Sequence, residues 1–197
     1  MEKSFENFKN YILINAKEKD ACSSQIKEAE TTINFTQLLG VIKNNANWCY
    51  VNKLVNADIL EKYVPDIELL SANIYVKKER IVQNNGLCLY YSSTSKHYGS
   101  STSKHYESST SEHYGSSTSE HYGSSTSEHY DSSTSKHYGS STSKHYESST
   151  SKHYESSTFG SVYILKDTSI IHDQAIIRER LTNKVYFKKS AFEILEL

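Results

Sequence analysis

Residues 92–99 have the sequence Ser92-Ser93-Thr94-Ser95-Lys96-His97-Tyr98-Gly99, and this octapeptide is the first of eight tandem copies that fill residues 92–155. A ninth copy begins at residue 156 and leaves the pattern at Phe159. Only two positions vary among the eight copies: position five is Lys or Glu, and position eight is Gly, Glu or Asp. Tyr occupies position seven in every copy, and the tract contains no proline. The chain is therefore organised around a strict period of eight residues.

Two structures compete for this tract. A polar, Ser- and Thr-rich segment of low complexity is typical of disorder. The alternative is a β-solenoid, in which each octapeptide forms one strand and one turn, and successive coils stack. An aromatic residue at every eighth position and the absence of proline favour the solenoid. Tyr90 also lies eight residues before Tyr98, so residues 87–90 extend the phase as an atypical, more apolar first unit.

The variable charge at position five indicates which face of each strand meets water, because exchange of Lys for Glu costs least in solvent. Side chains alternate along a strand, so positions one, three and seven then also face outward. Ser93, Ser95 and His97 of the first copy face inward, where each hydroxyl or imidazole is expected to bond its copy in the next coil. The opposite orientation, with Tyr inside, follows if a turn separates position five from Tyr. Two octapeptides per coil give a flat stack of about four coils, and three per coil give a three-sided stack.

The flanking sequences predict an α+β fold. Residues 1–66 are expected to form a small helical N-terminal domain of three or four short helices, because apolar residues recur at helical spacing and Pro65 ends the pattern. The stripe Phe35, Leu38, Leu39 and Ile42 follows a possible cap at Asn34. Residues 67–165 are expected to form the solenoid, including a β-rich segment at 67–70. Residues 166–197 are expected to form a β-rich C-terminal cap with a hairpin turn at 182–184.

Three segments resemble elements of the octapeptide-repeat proteins of gut bacteria and their phages. Those proteins have a helical N-terminal region with an Asp/Asn-Trp-Cys segment, tandem units of the type Gly-Asn-Ala-Thr-Val-(Glu/Lys)-Ala-(Tyr/Trp), and a short β-rich tail. The matching segments here are Asn47-Trp48-Cys49, the unit at 99–106, and residues 173–187. The chain departs at Ser101, Ser103 and His105, where the family has Ala, Val and Ala. The resemblance implies a β-solenoid and a link to phages or mobile elements, with no activity attached.

Composition argues against several classes of function. The net charge of −1 offers no general field for nucleic acid or membranes, and we see no apolar span of 18 residues and no signal peptide. Cys22, Cys49 and Cys88 are odd in number and lack CxxC spacing, so reduced thiols in the cytoplasm are expected. Near-identical copies on a regular surface offer no pocket for catalysis. Histidines stacked about 4.8 Å apart on one face fit a compact metal site poorly. We therefore expect no catalytic residues, no metal and no cofactor.

The remaining expectation is a non-enzymatic repeat scaffold that presents Thr, Tyr and alternating charge for protein binding or self-association. A regular row of Thr also makes an ice- or water-ordering solenoid an alternative. A disordered His-rich tract that loosely chelates metal is the other alternative. The candidate binding residues are Thr94, Tyr98, Thr102, Tyr106, Thr110, Tyr114, Thr118, Tyr122, Thr126, Tyr130, Thr134, Tyr138, Thr142, Tyr146, Thr150 and Tyr154.

Overall fold

The computed structural model describes residues 3–83, 86–146 and 149–154, and beyond them the backbone at 158–162, 170–171, 176–179, 184–189 and 191–196. It divides into two compact units, Met1–Val76 and Lys77–Leu197. Among the described residues, no helix combines the length and apolar character that a membrane crossing requires. The architecture is α+β, as predicted, with helices first and a β-solenoid after them.

The first unit contains six helices in its described part, where the sequence pattern predicted three or four. They are α1 (Phe5–Glu18), α2 (Ser23–Thr31), α3 (Phe35–Asn44), α4 (Ala46–Val51), α5 (Ala57–Tyr63) and α6 (Asp66–Ser71), and strand β1 (Ile74–Val76) follows. The expectation of β structure at 67–70 is wrong. Pro65 takes the N-cap position of α6, and acidic Asp66 and Glu68 in the first turn suit the positive end of a helix.

Side-chain caps and an aromatic core hold the helices. The Asn34 carboxamide oxygen accepts a hydrogen bond from the Gln37 amide at 2.9 Å, as the predicted cap requires. The predicted stripe of α3 is buried at Leu38, Leu39 and Ile42. Phe8 is fully buried, with its ring stacked against Phe35 and Tyr63 at about 6 Å between centroids. The apolar periodicity therefore identified the core of this unit correctly.

The second unit winds the repeats into two parallel sheets. Its strands are β2 (Ile81–Gln83), β3 (Leu87–Tyr91), β4 (Thr94–His97), β5 (Thr102–Tyr106), β6 (Thr110–His113), β7 (Thr118–His121), β8 (Thr126–His129), β9 (Thr134–His137), β10 (Thr142–His145) and β11 (Thr150–His153). Odd-numbered strands from β3 to β11 follow one another in one sheet, the odd sheet, and even-numbered strands from β2 to β10 follow one another in the other, the even sheet. Thr94 pairs with Thr110 and His97 with His113, an offset of sixteen residues. Two octapeptides therefore make one coil, and the three-sided alternative and the disordered tract are both wrong.

The predicted inward face is confirmed. In the described copies the Ser at positions two and four and the His at position six are buried, while position three is exposed or half-buried. The first copy shows the pattern clearly, since Ser93, Ser95 and His97 are buried between exposed Thr94 and Lys96. The alternative with Tyr in the interior between the sheets is therefore wrong.

Position eight forms the corner of each coil in a left-handed backbone conformation. Its φ is +61° at Gly99, +60° at Glu107, +66° at Gly115 and +54° at Asp131. Glycine adopts this conformation without a steric penalty, which accounts for its frequency at the position. The acidic residues gain a compensating contact, because the Asp131 carboxylate accepts a hydrogen bond from the Gly115 amide of the coil before it at 2.8 Å. The residues found at this corner are therefore Gly, Glu and Asp.

Replacing a corner glycine is expected to destabilise the solenoid. In Gly115→Ala the new Cβ would lie 3.3 Å from backbone atoms of Gly99, at a φ of +66°. We expect the free energy of unfolding to fall by about 1 kcal/mol, the usual cost of a left-handed residue that carries a Cβ. Urea unfolding followed by the β signal in circular dichroism measures this change. Ser116→Ala, at the exposed neighbour, is the control, and an equal loss in both variants would contradict the corner argument.

The first coil departs from the predicted phase. Tyr91, and not Tyr90, pairs with Tyr106, while Tyr90 pairs with the inward His105. Ser92 takes the corner conformation with a φ of +47°, so this turn is one residue shorter than the turns between later copies. The spacing of eight between Tyr90 and Tyr98 was therefore a coincidence of composition, although residues 87–91 do form the first strand of the odd sheet.

The C-terminal region is rich in strands, as predicted. It contains β12 (Thr158–Val162), β13 (Ile170–Ile171), β14 (Ile176–Glu179), β15 (Lys184–Lys189) and β16 (Ala191–Glu196). Strand β12 continues the even sheet in parallel with β10 and β14, and β14, β15 and β16 pair antiparallel. The predicted hairpin is confirmed by the pairing of Glu179 with Lys184, while its turn residues Thr182 and Asn183 lie outside the described residues.

Candidate functional site

The outer surface carries rows of Thr at position three. Parallel pairing at an offset of sixteen residues places Thr94 beside Thr110 and Thr102 beside Thr118. The Thr side chains are exposed from the first copy to the sixth, and Thr142 and Thr150 are half-buried. The structure therefore brings the predicted Thr residues together as one row on each sheet.

The Tyr residues form a second row on each sheet, but their exposure is uneven. Along each row the rings stack, with 4.6–5.3 Å between the centroids of successive Tyr residues. Tyr98 is 38% exposed, whereas Tyr106 is fully buried and Tyr122 is 7% exposed. The ring of Tyr91 covers Tyr106 on its other face at 4.8 Å. Strand alternation alone predicted exposed Tyr throughout, and stacking against neighbouring coils is the reason that this is wrong at Tyr106 and Tyr122.

A row of charges runs between Thr and Tyr, and its Lys and Glu residues pair from coil to coil. The ammonium of Lys96 lies 2.8 Å from the Glu112 carboxylate, and that of Lys144 lies 2.9 Å from Glu128. On the odd sheet Glu120 lies between Lys104 and Lys136, at 3.1 and 3.2 Å. Four of the six neighbours at an offset of sixteen residues are therefore of opposite charge, whereas Glu112 lies beside Glu128 and Lys136 beside Lys152.

The acidic copies also bind their own Tyr. The Tyr114 hydroxyl donates to the Glu112 carboxylate at 2.7 Å, and Tyr130 donates to Glu128 at 2.6 Å. Hydrogen bonds from Lys96 and Tyr114 lower the pKa of Glu112, so this carboxylate stays ionised at neutral pH. Copies with Glu at position five thus hold the Tyr ring in place by its hydroxyl, a role that sequence comparison of the copies did not reveal.

The space between the two sheets is filled by imidazole rings in two columns. His97, His113, His129 and His145 form the even column, and His105, His121 and His137 form the odd column. Rings within a column stack at 4.4–4.8 Å between centroids. Rings of opposite columns meet edge to face at 5.1–6.0 Å. The core of this solenoid is therefore aromatic, although it contains no aliphatic side chain from the repeats.

Each imidazole is oriented by a serine of its own strand. The Nε2 atom of His97 lies 2.8 Å from the Ser95 hydroxyl, and the same pair recurs at 2.9 Å for His113 and Ser111. The expectation that each group bonds its copy in the next coil is wrong, because the stacked rings present π-faces, and not nitrogen atoms, to one another. In two places among the described copies, a serine at position two contacts the other nitrogen: Ser149 lies 3.1 Å from Nδ1 of His145, and Ser133 lies 3.4 Å from Nδ1 of His129.

Burial keeps these imidazoles neutral. It lowers the pKa of His97 to about 3, and it holds the pKa of His105, His113 and His129 well below the usual value of 6.5. A neutral imidazole is the form that ligates metal ions. The paired serine hydroxyls resemble the nucleophile–base pairs of hydrolases, but no substrate reaches groups that are 0–4% exposed, as Ser95 and His97 are.

The two columns also create clusters of imidazoles that the sequence argument missed. In three places, ligand nitrogens from three buried histidines lie within 4.8 Å of one another. The clusters are His97, His105 and His113; His113, His121 and His129; and His129, His137 and His145. The spacing within one column is visible in the sequence, but the second column comes to lie opposite the first only when the two sheets pack together.

The Asn-Trp-Cys segment of the helical unit has a separate environment. Trp48 and Cys49 lie in α4 and line a mostly apolar cavity of about 180 Å³, together with residues of the first three helices. Burial raises the pKa of the Cys49 thiol to about 12. This thiol is therefore a core group that stays protonated.

No family model, curated protein or solved structure was found to match the chain. The structure has the helical N-terminal region and the regular β-solenoid that the family resemblance implied.

Proposed function

We propose that the solenoid is a non-enzymatic scaffold whose outer Thr, Tyr and charged rows bind another protein or a second copy of the chain. The observation that carries the proposal is the offset of sixteen residues, which places identical outward groups in line on each sheet. A partner with its own regular spacing would make the same weak contact at each coil. Tyr suits such a contact, since it offers a large area at low entropic cost.

The even sheet is the better candidate face. Tyr98 is exposed there and Tyr114, Tyr130 and Tyr146 are half-buried, so edges of the rings remain accessible. On the odd sheet Tyr138 and Tyr154 are half-buried as well, but Tyr106 and Tyr122 have little surface to offer, so contacts at those two coils would rely on the Thr and charged rows. The ion pairs Lys96–Glu112 and Lys144–Glu128 also lie on this sheet, so a partner there meets charges that are already paired.

Affinity is expected to depend on the number of coils. Deleting residues 108–123 removes one strand from each sheet and preserves the phase of the remaining copies. Duplicating the same segment adds a coil. Analytical ultracentrifugation of the three lengths should show self-association that strengthens with length, since contacts of one kind act together. Equal association constants across the three lengths would contradict the proposal that the rows form the contact surface.

Matched Tyr substitutions separate binding from folding. Tyr98→Ser and Tyr114→Ser, combined in one variant, are expected to weaken association and leave the β signal in place. Tyr106→Ser is expected to lower the free energy of unfolding by about 3 kcal/mol, because a fully buried ring is lost. Urea unfolding and ultracentrifugation of both variants test this contrast. Full association by a folded even-sheet variant would show that the Tyr row there is not the contact.

The exposed Thr rows support a second candidate, the ordering of water or ice. Thr94 and Thr110 are exposed on one sheet, and Thr102 and Thr118 on the other. Ion pairs such as Lys96 with Glu112 border the rows closely, which disfavours an ice-like water layer. Thermal hysteresis at millimolar protein is the deciding measurement, and we expect none.

We also infer kinship with the octapeptide-repeat proteins of gut bacteria and their phages. Support comes from Ser101, Ser103 and His105, which face inward here, at the positions where the family unit has small or apolar residues. A cytoplasmic location is the matching proposal, since Cys22, Cys49 and Cys88 are free thiols. Alkylation of fresh cell lysates followed by mass spectrometry measures the fraction of Cys22 that is present as the reduced thiol. A cytoplasmic location predicts that this fraction is high.

A further inference from the structure

The interior of the solenoid contains nitrogen atoms that make no hydrogen bond. The Nδ1 atoms of His97, His105 and His113 are buried and have no hydrogen-bond partner. Buried polar atoms in proteins are rarely left this way, because each one costs free energy. These same three histidines make up the first of the three imidazole clusters, in which one ligand nitrogen from each residue lies within 4.8 Å of the others. The residues with unsatisfied nitrogens are therefore the same residues that supply the converging ligand nitrogens.

We propose that the imidazole clusters bind a monovalent d¹⁰ metal ion, Cu(I), through one nitrogen of each of three histidines. The ligands are neutral, and no carboxylate or thiolate belongs to any of the three clusters found among the described residues. An ion there keeps its whole charge in a medium of low dielectric constant. The cost of desolvation grows with the square of the charge, so a monovalent ion is favoured strongly over Zn(II). Imidazole is a common ligand of copper.

The required movement is small. Bonds of about 2.0 Å from three nitrogens to one ion place those nitrogens about 3.5 Å apart. The present separations of up to 4.8 Å close to that value by rotation of the rings, while the strands keep their pairing. Where Nδ1 is the ligand, Nε2 can remain on the hydroxyl of the position-four serine, as for His105 and Ser103 at 3.0 Å. Those hydroxyls then fix the orientation of each ligand ring.

The sharing of residues limits how many ions bind. His113 belongs to the first and second clusters, and His129 belongs to the second and third. If one imidazole serves one ion, the first and third clusters fill together and the middle one stays empty. The stoichiometry of the described clusters is therefore two, although there are three clusters. His121 is then the one member of the middle cluster that binds no ion.

Because neighbouring clusters share His113 and His129, two matched variants are expected to bind different numbers of ions. His105→Gln and His121→Gln make the same change at fully buried positions of the odd column. His121→Gln leaves the first and third clusters intact, so two ions still bind. His105→Gln destroys the first cluster, and the remaining two share His129, so one ion binds. General damage to the fold would lower the number of bound ions equally in the two variants. The proposal instead predicts two ions for one variant and one ion for the other.

The experiment is an anaerobic titration of the full-length chain with Cu(I) against a chromophoric Cu(I) chelator. The ion is added to the folded chain and, separately, during refolding from urea; uptake by either route supports the proposal. We expect two equivalents for the unmodified chain and for His121→Gln, and one for His105→Gln. Zn(II) is expected to leave the Cu(I) stoichiometry unchanged at a tenfold excess. Circular dichroism of each variant reports whether the β signal persists.

Several results would overturn the proposal. The first two are binding of two equivalents of Cu(I) by His105→Gln, and binding of fewer than two by a folded His121→Gln. The third is displacement of Cu(I) by Zn(II). The fourth is equal uptake of Cu(I) in urea, which would indicate loose chelation by an unfolded tract. If His105→Gln fails to fold, His137→Gln replaces it, since loss of the third cluster also leaves one ion. Binding to the interior is independent of the outer rows, so the even-sheet Tyr variant should still bind two ions.

Discussion

The solenoid is expected to unfold on acidification between about pH 6 and pH 4.5, while the helical unit stays folded. Four buried imidazoles are expected to cause the loss of stability. His97 has a pKa of about 3, and His105, His113 and His129 have pKa values well below 6.5. In the unfolded chain all four take up protons below pH 6.5. In the folded chain they remain neutral, because burial opposes the charge.

The sign follows from proton uptake by the two states. Below pH 6.5 the unfolded state binds more protons, so the stability of the folded state decreases as the pH falls. Above pH 6.5 both states are neutral at these groups, and this part of the stability is fully present. Each imidazole loses about 1.4 kcal/mol per pH unit, so four lose about 6 kcal/mol by pH 5.5, which approaches the total stability of many domains. For His97 the loss continues down to its folded pKa of about 3.

The groups around the imidazoles do not stabilise the protonated, positively charged form of the rings. His97 faces the rings of Tyr90, His105 and His113 and the hydroxyl of Ser95. Neighbouring histidines lower the pKa of His113 further, since a second positive charge nearby is unfavourable. The outer carboxylates of Glu112 and Glu128 have lowered pKa values, so they act at a pH below the histidine window.

The chain contains its own control for this experiment. Residues 1–76 contain no histidine, and Trp48 is the only tryptophan. Trp48 fluorescence therefore reports the helical unit, while the β signal in circular dichroism reports the solenoid. In the presence of a metal chelator, the β signal should disappear by about pH 4.5 with Trp48 fluorescence unchanged. A β signal that persists at pH 4 would mean that the imidazoles are solvated, and the dry interior would be wrong.

The period of eight was sufficient to predict the coils. The offset of two octapeptides was one of two alternatives that the sequence left open, and the strand pairing decides it. An inward Ser-Ser-His face and an outward charged position follow from strand alternation and from the exchange of Lys96 for Glu112 in the third copy. These features are local to the repeat, so the sequence of one octapeptide contains them. The helical stripe at Leu38, Leu39 and Ile42 was predictable for the same reason.

Other features depend on contacts between coils and were not predictable from one copy. The burial of Tyr106 arises from Tyr91 and Tyr122 on either side, and the imidazole clusters arise from two columns that face each other. Two predictions that rested on composition are also wrong. Tyr90 occupied the expected spacing by chance, and the apolar residues 67–70 belong to a helix because Pro65 and Asp66 begin one there.

Two sets of serines, equally buried and chemically identical, are expected to differ sharply when changed to alanine. Ser111, Ser119 and Ser127 each hydrogen-bond Nε2 of the histidine two residues later, at 2.9, 2.9 and 3.0 Å. The hydroxyls of Ser101, Ser117 and Ser125 have no hydrogen-bond partner. Members of both sets are 0–2% exposed, so the volume removed and the burial are matched.

The triple variant Ser111→Ala, Ser119→Ala, Ser127→Ala is expected to lose about 5 kcal/mol in the free energy of unfolding. Each change takes a hydroxyl from a buried imidazole nitrogen, which costs about 1–3 kcal/mol. The triple variant Ser101→Ala, Ser117→Ala, Ser125→Ala should be neutral or slightly more stable, because it removes buried hydroxyls that have no partner. Urea unfolding at pH 8, where the histidines are neutral in both states, isolates this difference from the acid effect. Equal losses in the two variants would show that small cavities, and not the Ser–His hydrogen bonds, govern the stability of the interior.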